Sequence, residues 1–129
     1  MITQLNVINI VNEIMFSISL YQDFIIKTND KRIARISIID KKNCYHKAIF
    51  IEDKLCGIDS DKIIENCGVQ QMSLYDKVGN CLFVINEKYM MTFDKTLVKC
   101  EIKDENNITK YEGFFNKEGR LKLKDLIKI

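Results

Sequence analysis

The stretch from Lys54 to Phe93 constrains the fold most strongly, because it combines one short capped helix with a series of strands. Asp59 has the side chain of a helix N-cap, which accepts hydrogen bonds from the free amides of the first turn. Ile58 and Ile63 have the spacing of a hydrophobic staple around that cap. Gly68 can adopt the left-handed conformation that ends a helix. The sequence therefore predicts a helix of about two turns here, too short to be stable without tertiary packing.

Alternating apolar and polar residues follow this helix. They predict strands at Gln70–Asp76 and Cys81–Asn86, because a strand with one buried face has a period of two. Asp76 to Asn80 has the composition of a turn between them. The central unit is thus predicted to be β-α-β-β.

A second helix is predicted over Thr3–Phe16. Leu5, Ile8, Val11 and Met15 follow helical spacing, as in an amphipathic helix. The opposite face would hold Asn6, Asn9, Asn12 and Glu13, and it carries no positive charge.

The rest of the chain is predicted to form strands. Outside the central unit they lie at Asp23–Thr28, Arg32–Asp40, Ala48–Ile51, Leu55–Gly57, Tyr89–Phe93, Leu97–Lys103, Ile108–Phe115 and Leu121–Ile129. The expected fold class is α+β, an antiparallel sheet of about eight or nine strands with two helices packed on one face. Residues 1–129 are expected to form a single domain, without linker or internal repeat.

Composition excludes several classes of protein. The net charge of +2 does not by itself imply a polyanionic partner, and no apolar run reaches the length of a membrane span. The five cysteines are an odd number, without the density of a disulfide scaffold, and no secretory signal is visible. They predict reduced thiols in a cytoplasmic protein, or in the host cell if the protein is viral.

The order of predicted elements resembles one domain of a DNA sliding clamp, the family of proliferating cell nuclear antigen. The resemblance extends over about residues 3–103, and the segments that carry it are Leu5–Ile14, Gly57–Ile64, Met72–Asp76 and Cys81–Ile85. It implies a non-enzymatic accessory protein of DNA replication or repair. Such a protein would act as a homo-oligomer or through clamp-like partners, with the backbone of double-stranded DNA as ligand.

Basic residues are densest in the first third of the chain. Phosphate contacts are expected from Lys27, Lys31, Arg32, Arg35, Lys41, Lys42 and Lys47, together with Lys62 on the short helix. The alternative is that these are ordinary solvated lysines of hairpins and strand edges. A second basic stretch, from Lys117 to Lys128, is interspersed with acids and is interpreted as solvated surface.

One segment near the C-terminus resembles the short peptide with which the partners of sliding clamps dock. Tyr111 lies three residues before the aromatic pair Phe114 and Phe115, as the apolar plug does in that peptide. The resemblance implies a partner-binding role for these three residues. The alternative is a strand that buries Phe114 or Phe115.

No catalytic, metal or cofactor site is predicted. No two cysteines stand two to four residues apart, as zinc sites usually require, and His46 is the single histidine available as a base. The alternative to a DNA accessory protein is a small viral or phage-type protein that binds and modulates a host protein without nucleic acid. The asparagine-faced first helix favours this alternative.

Overall fold

The structure, a computed structural model, describes residues 2–19, 26–28, 30–51, 54–56 and 60–129. The described part of the chain consists almost entirely of strands, with one α-helix, α1, at Ser60–Glu65 and a one-turn 3-10 helix at Leu123–Asp125. The strands are β1 Ile2–Asn9, β2 Ile14–Ser19, β3 Ile26–Thr28, β4 Arg35–Asp40, β5 Tyr45–Ile51, β6 Lys54–Cys56, β7 Val69–Tyr75, β8 Cys81–Asn86, β9 Tyr89–Thr92, β10 Leu97–Asp104, β11 Thr109–Phe114, β12 Arg120–Lys122 and β13 Ile127–Lys128.

The predicted α+β fold is wrong. The strands form two antiparallel sheets rather than one sheet with two helices. A six-stranded sheet has the order β13-β11-β10-β1-β2-β3, and a seven-stranded sheet has the order β12-β9-β8-β7-β4-β5-β6. Their buried faces share one hydrophobic core, in the manner of a β-sandwich. Phe16 of the first sheet and Phe83 of the second meet edge to face in this core, with ring centroids 4.8 Å apart.

The predicted first helix is replaced by the hairpin of β1 and β2. Leu5 and Val7 face the core at strand spacing, whereas Ile10 and Val11 lie in the turn and are exposed. The helical pattern arose because this segment is apolar at most positions, so that a period of 3.6 could be found in it by chance. Its β-branched residues favour a strand, and the asparagines at positions 9 and 12 form the turn.

The same turn chemistry recurs in five turns, four of them in hairpins and the fifth between β11 and β12, which belong to different sheets. Each five-residue turn begins with Asp or Asn, whose side-chain oxygen accepts hydrogen bonds from the amides of the third and fifth residues. In the turn at Asp104, these bonds to Asn106 and Ile108 measure 2.9 and 3.0 Å. The fourth residue is Asn or Gly with positive φ, which suits a type I turn followed by a bulge. The five turns are Asn9–Glu13, Asp40–Cys44, Asp76–Asn80, Asp104–Ile108 and Asn116–Arg120.

The central helix is shorter than predicted but lies where expected. Ile63 is fully buried in the core. Gly68 has a positive φ of 103°, and Cys67 before it is also left-handed, at 72°. The predicted cap Asp59 and staple residue Ile58 lie outside the described residues.

The chain consists of two equivalent halves, so the prediction that it has no internal repeat is wrong. Strands β1 to β5 correspond to β7 to β11, and β6 corresponds to β13. When each strand is exchanged for its counterpart, the order of the six-stranded sheet becomes that of the seven-stranded sheet, apart from the additional β12. The registers agree as well. Leu5 lies opposite Ile102 between β1 and β10, and the equivalent Met72 lies opposite Ile38 between β7 and β4.

The β3–β4 and β9–β10 connections, each of which passes from one sheet to the other, carry the clearest sequence repeat. Thr28 accepts a hydrogen bond from the amide of Asp30, and Thr92 does the same for Asp94. In each connection a lysine follows the aspartate, and Thr28, Asp30, Lys31, Asp40 and Asn43 recur at identical spacing as Thr92, Asp94, Lys95, Asp104 and Asn107. The halves meet at equivalent residues, because Phe16 contacts its equivalent Phe83. A pseudo-twofold axis therefore relates the two sheets.

Candidate nucleic-acid interface

The outer face of the seven-stranded sheet carries basic and aromatic side chains. The strands of this sheet contain one acidic residue, Asp40, and it is fully buried on the inner side. The outward-pointing cations and tyrosines with described side chains define what we call the basic face: Arg35, Lys47, Arg120, Lys122, Tyr45, Tyr75 and Tyr89. None of its four cations forms an ion pair with a residue in the described part of the chain.

Two arginines of the basic face are stacked on tyrosines. The guanidinium carbon of Arg35 lies 4.6 Å from the ring centroid of Tyr75, its partner across β4 and β7. That of Arg120 lies 4.2 Å from the ring centroid of Tyr89. A cation over an aromatic face is held in place while its outer edge remains available for hydrogen bonds. The two pairs therefore present oriented guanidinium groups at separate points of the sheet.

The outer face of the six-stranded sheet is different, although the pseudo-twofold axis makes the two faces equivalent in backbone. Lys99, the equivalent of Arg35, is paired with Glu101 at 3.2 Å. Glu101 in turn lies opposite Glu112 on β11. Acids and bases thus occur together on this face. The fold itself therefore does not exclude acids from an outer face, and their absence from the outer face of the strands is a property of the seven-stranded sheet.

The predicted basic residues are distributed over several places. Arg35 and Lys47 lie on the basic face. Lys41 and Lys42 lie in the β4–β5 turn, where Lys41 is 3.7 Å from Glu87. Lys62 is exposed on α1. Lys27 lies on β3, in the other sheet.

Lys31 and Arg32 lie in the first connection between the sheets, away from the basic face. The guanidinium of Arg32 bonds Asp30 at 2.6 Å and also bonds Asp94, the equivalent of Asp30 in the other half. The bonds to Asp30 and Asp94 raise the pKa of Arg32, although burial acts in the opposite direction. This arginine neutralises two carboxylates where the halves meet, so its charge is already balanced.

Asp40 forms the most densely bonded polar group of the sandwich. One carboxylate oxygen accepts hydrogen bonds from the amides of Lys42 and Cys44, and the other accepts from Asn66 at 2.7 Å and lies 2.8 Å from His46 Nε2. Burial raises the pKa of Asp40, but the bonds from His46, Asn66 and the two amides together hold it well below its ordinary value. This network joins the β4–β5 turn to the end of α1, and a carboxylate so fully bonded has a structural role.

The segment that resembles a clamp-binding peptide lies in β11 and just after it. Phe114 is 57% exposed on the outer face of the six-stranded sheet. Tyr111 and Phe115 pack against the core, and Phe115 contacts Phe83 edge to face. The three side chains therefore point to different sides of the sheet, and only Phe114 is largely accessible.

The described residues contain no group of three or more histidine, cysteine or acidic side chains that could hold a metal ion. No described helix is long and apolar enough to cross a membrane. Of the cysteines with described side chains, Cys44 and Cys67 are exposed, whereas burial raises the pKa of the Cys100 thiol to about 12.

Sequence reasoning missed five of the seven residues of the basic face. It assigned no ligand to Tyr45, Tyr75 and Tyr89, and it interpreted Arg120 and Lys122 as solvated surface. A signal was present, because β4, β5, β7, β8, β9 and β12 each lack an exposed acid. Its meaning depends on the sheet order, which places β12 from the end of the chain beside β9.

Comparison of the chain with protein-family models, with curated proteins and with solved structures finds no match. The resemblance to sliding clamps therefore stays a prediction, and its first segment lies in the β1–β2 hairpin rather than in a helix.

Proposed function

We propose that this chain is a non-enzymatic protein that binds single-stranded nucleic acid on its basic face. The observation that carries the proposal concerns the strands of the seven-stranded sheet, which carry two arginine–tyrosine stacks and no acid on their outer face, whereas the equivalent face of the six-stranded sheet carries both acids and bases. Lysines and arginines neutralise backbone phosphates, and tyrosines provide surfaces on which unpaired bases stack. A face that combines both is typical of binding without sequence preference.

The dimensions of the basic face suit an extended strand. Adjacent strands of a sheet lie about 4.8 Å apart, so the five spacings from β5 to β12 extend over about 24 Å. Tyr45 lies near one edge of this span, on β5, and it is 67% exposed. Arg35 and Tyr75 occupy the middle, and Arg120 stacks on Tyr89 at the β12 edge. Cations and tyrosines thus occur at both edges and in the middle of this span.

Salt dependence of binding to a fluorescein-labelled oligothymidine tests the proposal. If the four cations of the basic face each neutralise one phosphate, the logarithm of the affinity falls against the logarithm of salt with a slope of about −3. Affinity then falls about 50-fold between about 50 and 200 mM salt. Tyr45→Ala should weaken binding by about 5-fold or more, because stacking on an exposed tyrosine contributes about 1–3 kcal/mol per base. An affinity that is indifferent to salt and to Tyr45 would exclude this mode of binding.

A duplex of the same length distinguishes this proposal from the double-stranded ligand expected from the sequence. Bases in a duplex are already stacked and cannot lie on tyrosines. Weaker binding of the duplex supports the single-stranded ligand. Tighter binding of the duplex would overturn it and favour contacts to phosphates alone.

A second candidate function is association with another protein, here a second copy of the chain, through an apolar end of the sandwich. Ile10, Val11, Val78 and Phe93 are 72%, 65%, 85% and 58% exposed, respectively. They lie at the end where the chain passes between the sheets, since the amide of Ile10 bonds Thr96 at 2.8 Å and that of Ala34 bonds Tyr75 at 2.8 Å. Light scattering of the wild type and of Val78→Asp tests this. Assembly that the substitution reduces supports the candidate, and a wild type that remains monomeric contradicts it.

A further inference from the structure

One cleft at the β12 edge of the basic face collects more positive charge than its surroundings. It has a volume of about 560 Å³ and is lined by Lys88, Tyr89, Arg120, Lys122 and Lys124, with Glu87 and Leu123 completing its wall. We refer to these residues as the basic cleft. Glu87 is its single acid, and that carboxylate already lies 3.7 Å from Lys41. The four cations of the cleft have no carboxylate partner among the described residues.

Arg120 is held in a defined orientation inside this cleft. Its guanidinium stacks on Tyr89 with 4.2 Å between the guanidinium carbon and the ring centroid. Its Nε atom is buried and finds no hydrogen-bond partner in the described part of the chain. A buried donor without a partner is rare in folded proteins, because leaving a polar group unsatisfied is unfavourable. The stack on Tyr89 and the burial of Nε together fix the plane of the Arg120 guanidinium group.

The backbone around the cleft is fixed by hydrogen bonds. The amide of Leu123 bonds the carbonyl of Lys88 at 2.9 Å, which joins the 3-10 helix to the β8–β9 turn. The Asn86 side chain accepts from the amides of Lys88 and Tyr89, each at 2.9 Å. The two segments that carry the lysines are thus tied together, and the cleft is formed before any ligand binds.

We propose that the basic cleft binds a phosphate group. The planar guanidinium of Arg120 matches the oxygens of a phosphate in a two-bond arrangement, and the flexible lysines supply point charges around it. A carboxylate ligand would use fewer of these donors, because a phosphate monoester has three terminal oxygens and a charge of up to −2. This inference rests on the proposed function, since the cleft lies at the edge of the same face, where it would receive a phosphate at one end of a bound strand.

The first test uses inorganic phosphate alone, followed through the amide signals of the protein in two-dimensional NMR spectra. The signals of Lys88, Tyr89 and Lys124 should shift and reach saturation, whereas sodium chloride at equal ionic strength should leave them largely unchanged. Arg120→Ala should abolish the saturable shift, and Arg120→Lys should weaken it about tenfold, because lysine retains the charge without the two-bond geometry. Lys117→Ala is the matched control, since it removes one exposed cation from the neighbouring turn outside the cleft.

The source of the phosphate is tested with oligothymidines that carry either a 5′-phosphate or a 5′-hydroxyl group. Tighter binding of the phosphorylated strand, lost in Arg120→Ala, assigns the cleft to a terminal phosphate. Equal binding of both strands, weakened in Arg120→Ala, assigns it to a phosphate of the backbone. Phosphate shifts that do not saturate, or that persist in Arg120→Ala, overturn the inference. If inorganic phosphate binds and neither oligonucleotide does, the assignment of the basic cleft as a phosphate site is supported and the proposed binding of single-stranded nucleic acid is refuted.

Discussion

Gly119 offers a test of how β12 is docked on the seven-stranded sheet. It is the fourth residue of the Asn116 turn, with a φ of 80°. A Cβ at this position would lie 2.2 Å from the backbone oxygen of Thr92, and the Gly119 carbonyl accepts a hydrogen bond from the Thr92 amide at 2.8 Å. Gly119→Ala therefore strains the left-handed backbone and forces the two strands apart.

The expected destabilisation is the sum of three effects. A left-handed alanine costs about 1–2 kcal/mol relative to glycine. Overpacking typically costs about 1–3 kcal/mol, and the lost hydrogen bond contributes about 1 kcal/mol. We therefore expect Gly119→Ala to lower the free energy of unfolding by about 3–6 kcal/mol.

Gly79 provides the matched control for Gly119. It occupies the same position of the Asp76 turn, with a φ of 98°, but a Cβ there would meet nothing within 4 Å. Gly79→Ala should therefore cost only the backbone strain, about 1–2 kcal/mol. Equilibrium unfolding in urea measures both variants against the wild type. Equal losses for the two alanines would refute the close approach of Gly119 to Thr92, and with it the docking of β12 beside β9.

Three further predictions follow from the fold. A circular permutant that joins Ile129 to the N-terminus and opens the chain between β6 and β7 should fold with an unchanged circular-dichroism spectrum. The reason is that the pseudo-twofold axis makes the β6–β7 connection equivalent to the new link from β13 to β1. An unfolded permutant would contradict this equivalence. The pKa of Asp40 is lowered by folding, so its contribution to stability is complete above its unfolded-state pKa near 4 and is lost as the pH falls below it. Asp40→Asn should therefore flatten the dependence of unfolding free energy on pH between about 5 and 3, and unchanged dependence would refute the role of the carboxylate. In the folded protein, Cys44 and Cys67 should react with a thiol reagent while Cys100 does not. Mass spectrometry of the labelled peptides measures this, and labelling of Cys100 would contradict its burial.

The local structure of this chain could largely be predicted from its sequence. The strand at Cys81–Asn86 and the left-handed Gly68 were both visible in the pattern of residues. The error at the N-terminus arose because an apolar run satisfies helical and strand periods together. The asparagines at positions 9 and 12 were the decisive signal, since Asp or Asn followed three residues later by Asn or Gly marks all five turns of this kind.

The arrangement of the two halves could not be predicted in the same way. The equivalent residues retain polarity and spacing more than identity, as Val7 and its equivalent Leu74 do. A scan for identical residues therefore misses a repeat that strand order and register make plain. Two sheets that each combine strands from both halves also require pairings between residues far apart in the chain, which local patterns do not specify.

The candidate site depended on those same distant pairings. Of the basic residues predicted to contact phosphate, Arg35 and Lys47 lie on the basic face, whereas Arg32 is balanced by Asp30 and Asp94. Asp30, two residues before Arg32, was a local signal for this ion pair, whereas Asp94 is brought to Arg32 only by the fold. Arg120 lies on the basic face because β12 pairs with β9 at the edge of the seven-stranded sheet.

The most direct test of the account compares Arg35→Ala with Lys99→Ala in binding to a single-stranded oligothymidine at low salt. The two positions are equivalent in the two halves, and each substitution removes one positive charge. Non-specific attraction by net charge would weaken binding equally in both variants. We predict that Arg35→Ala weakens binding about 5-fold or more and lowers the salt slope by about 0.7, while Lys99→Ala leaves both unchanged. Equal effects, or a larger effect of Lys99→Ala, would contradict the assignment of the ligand to the basic face.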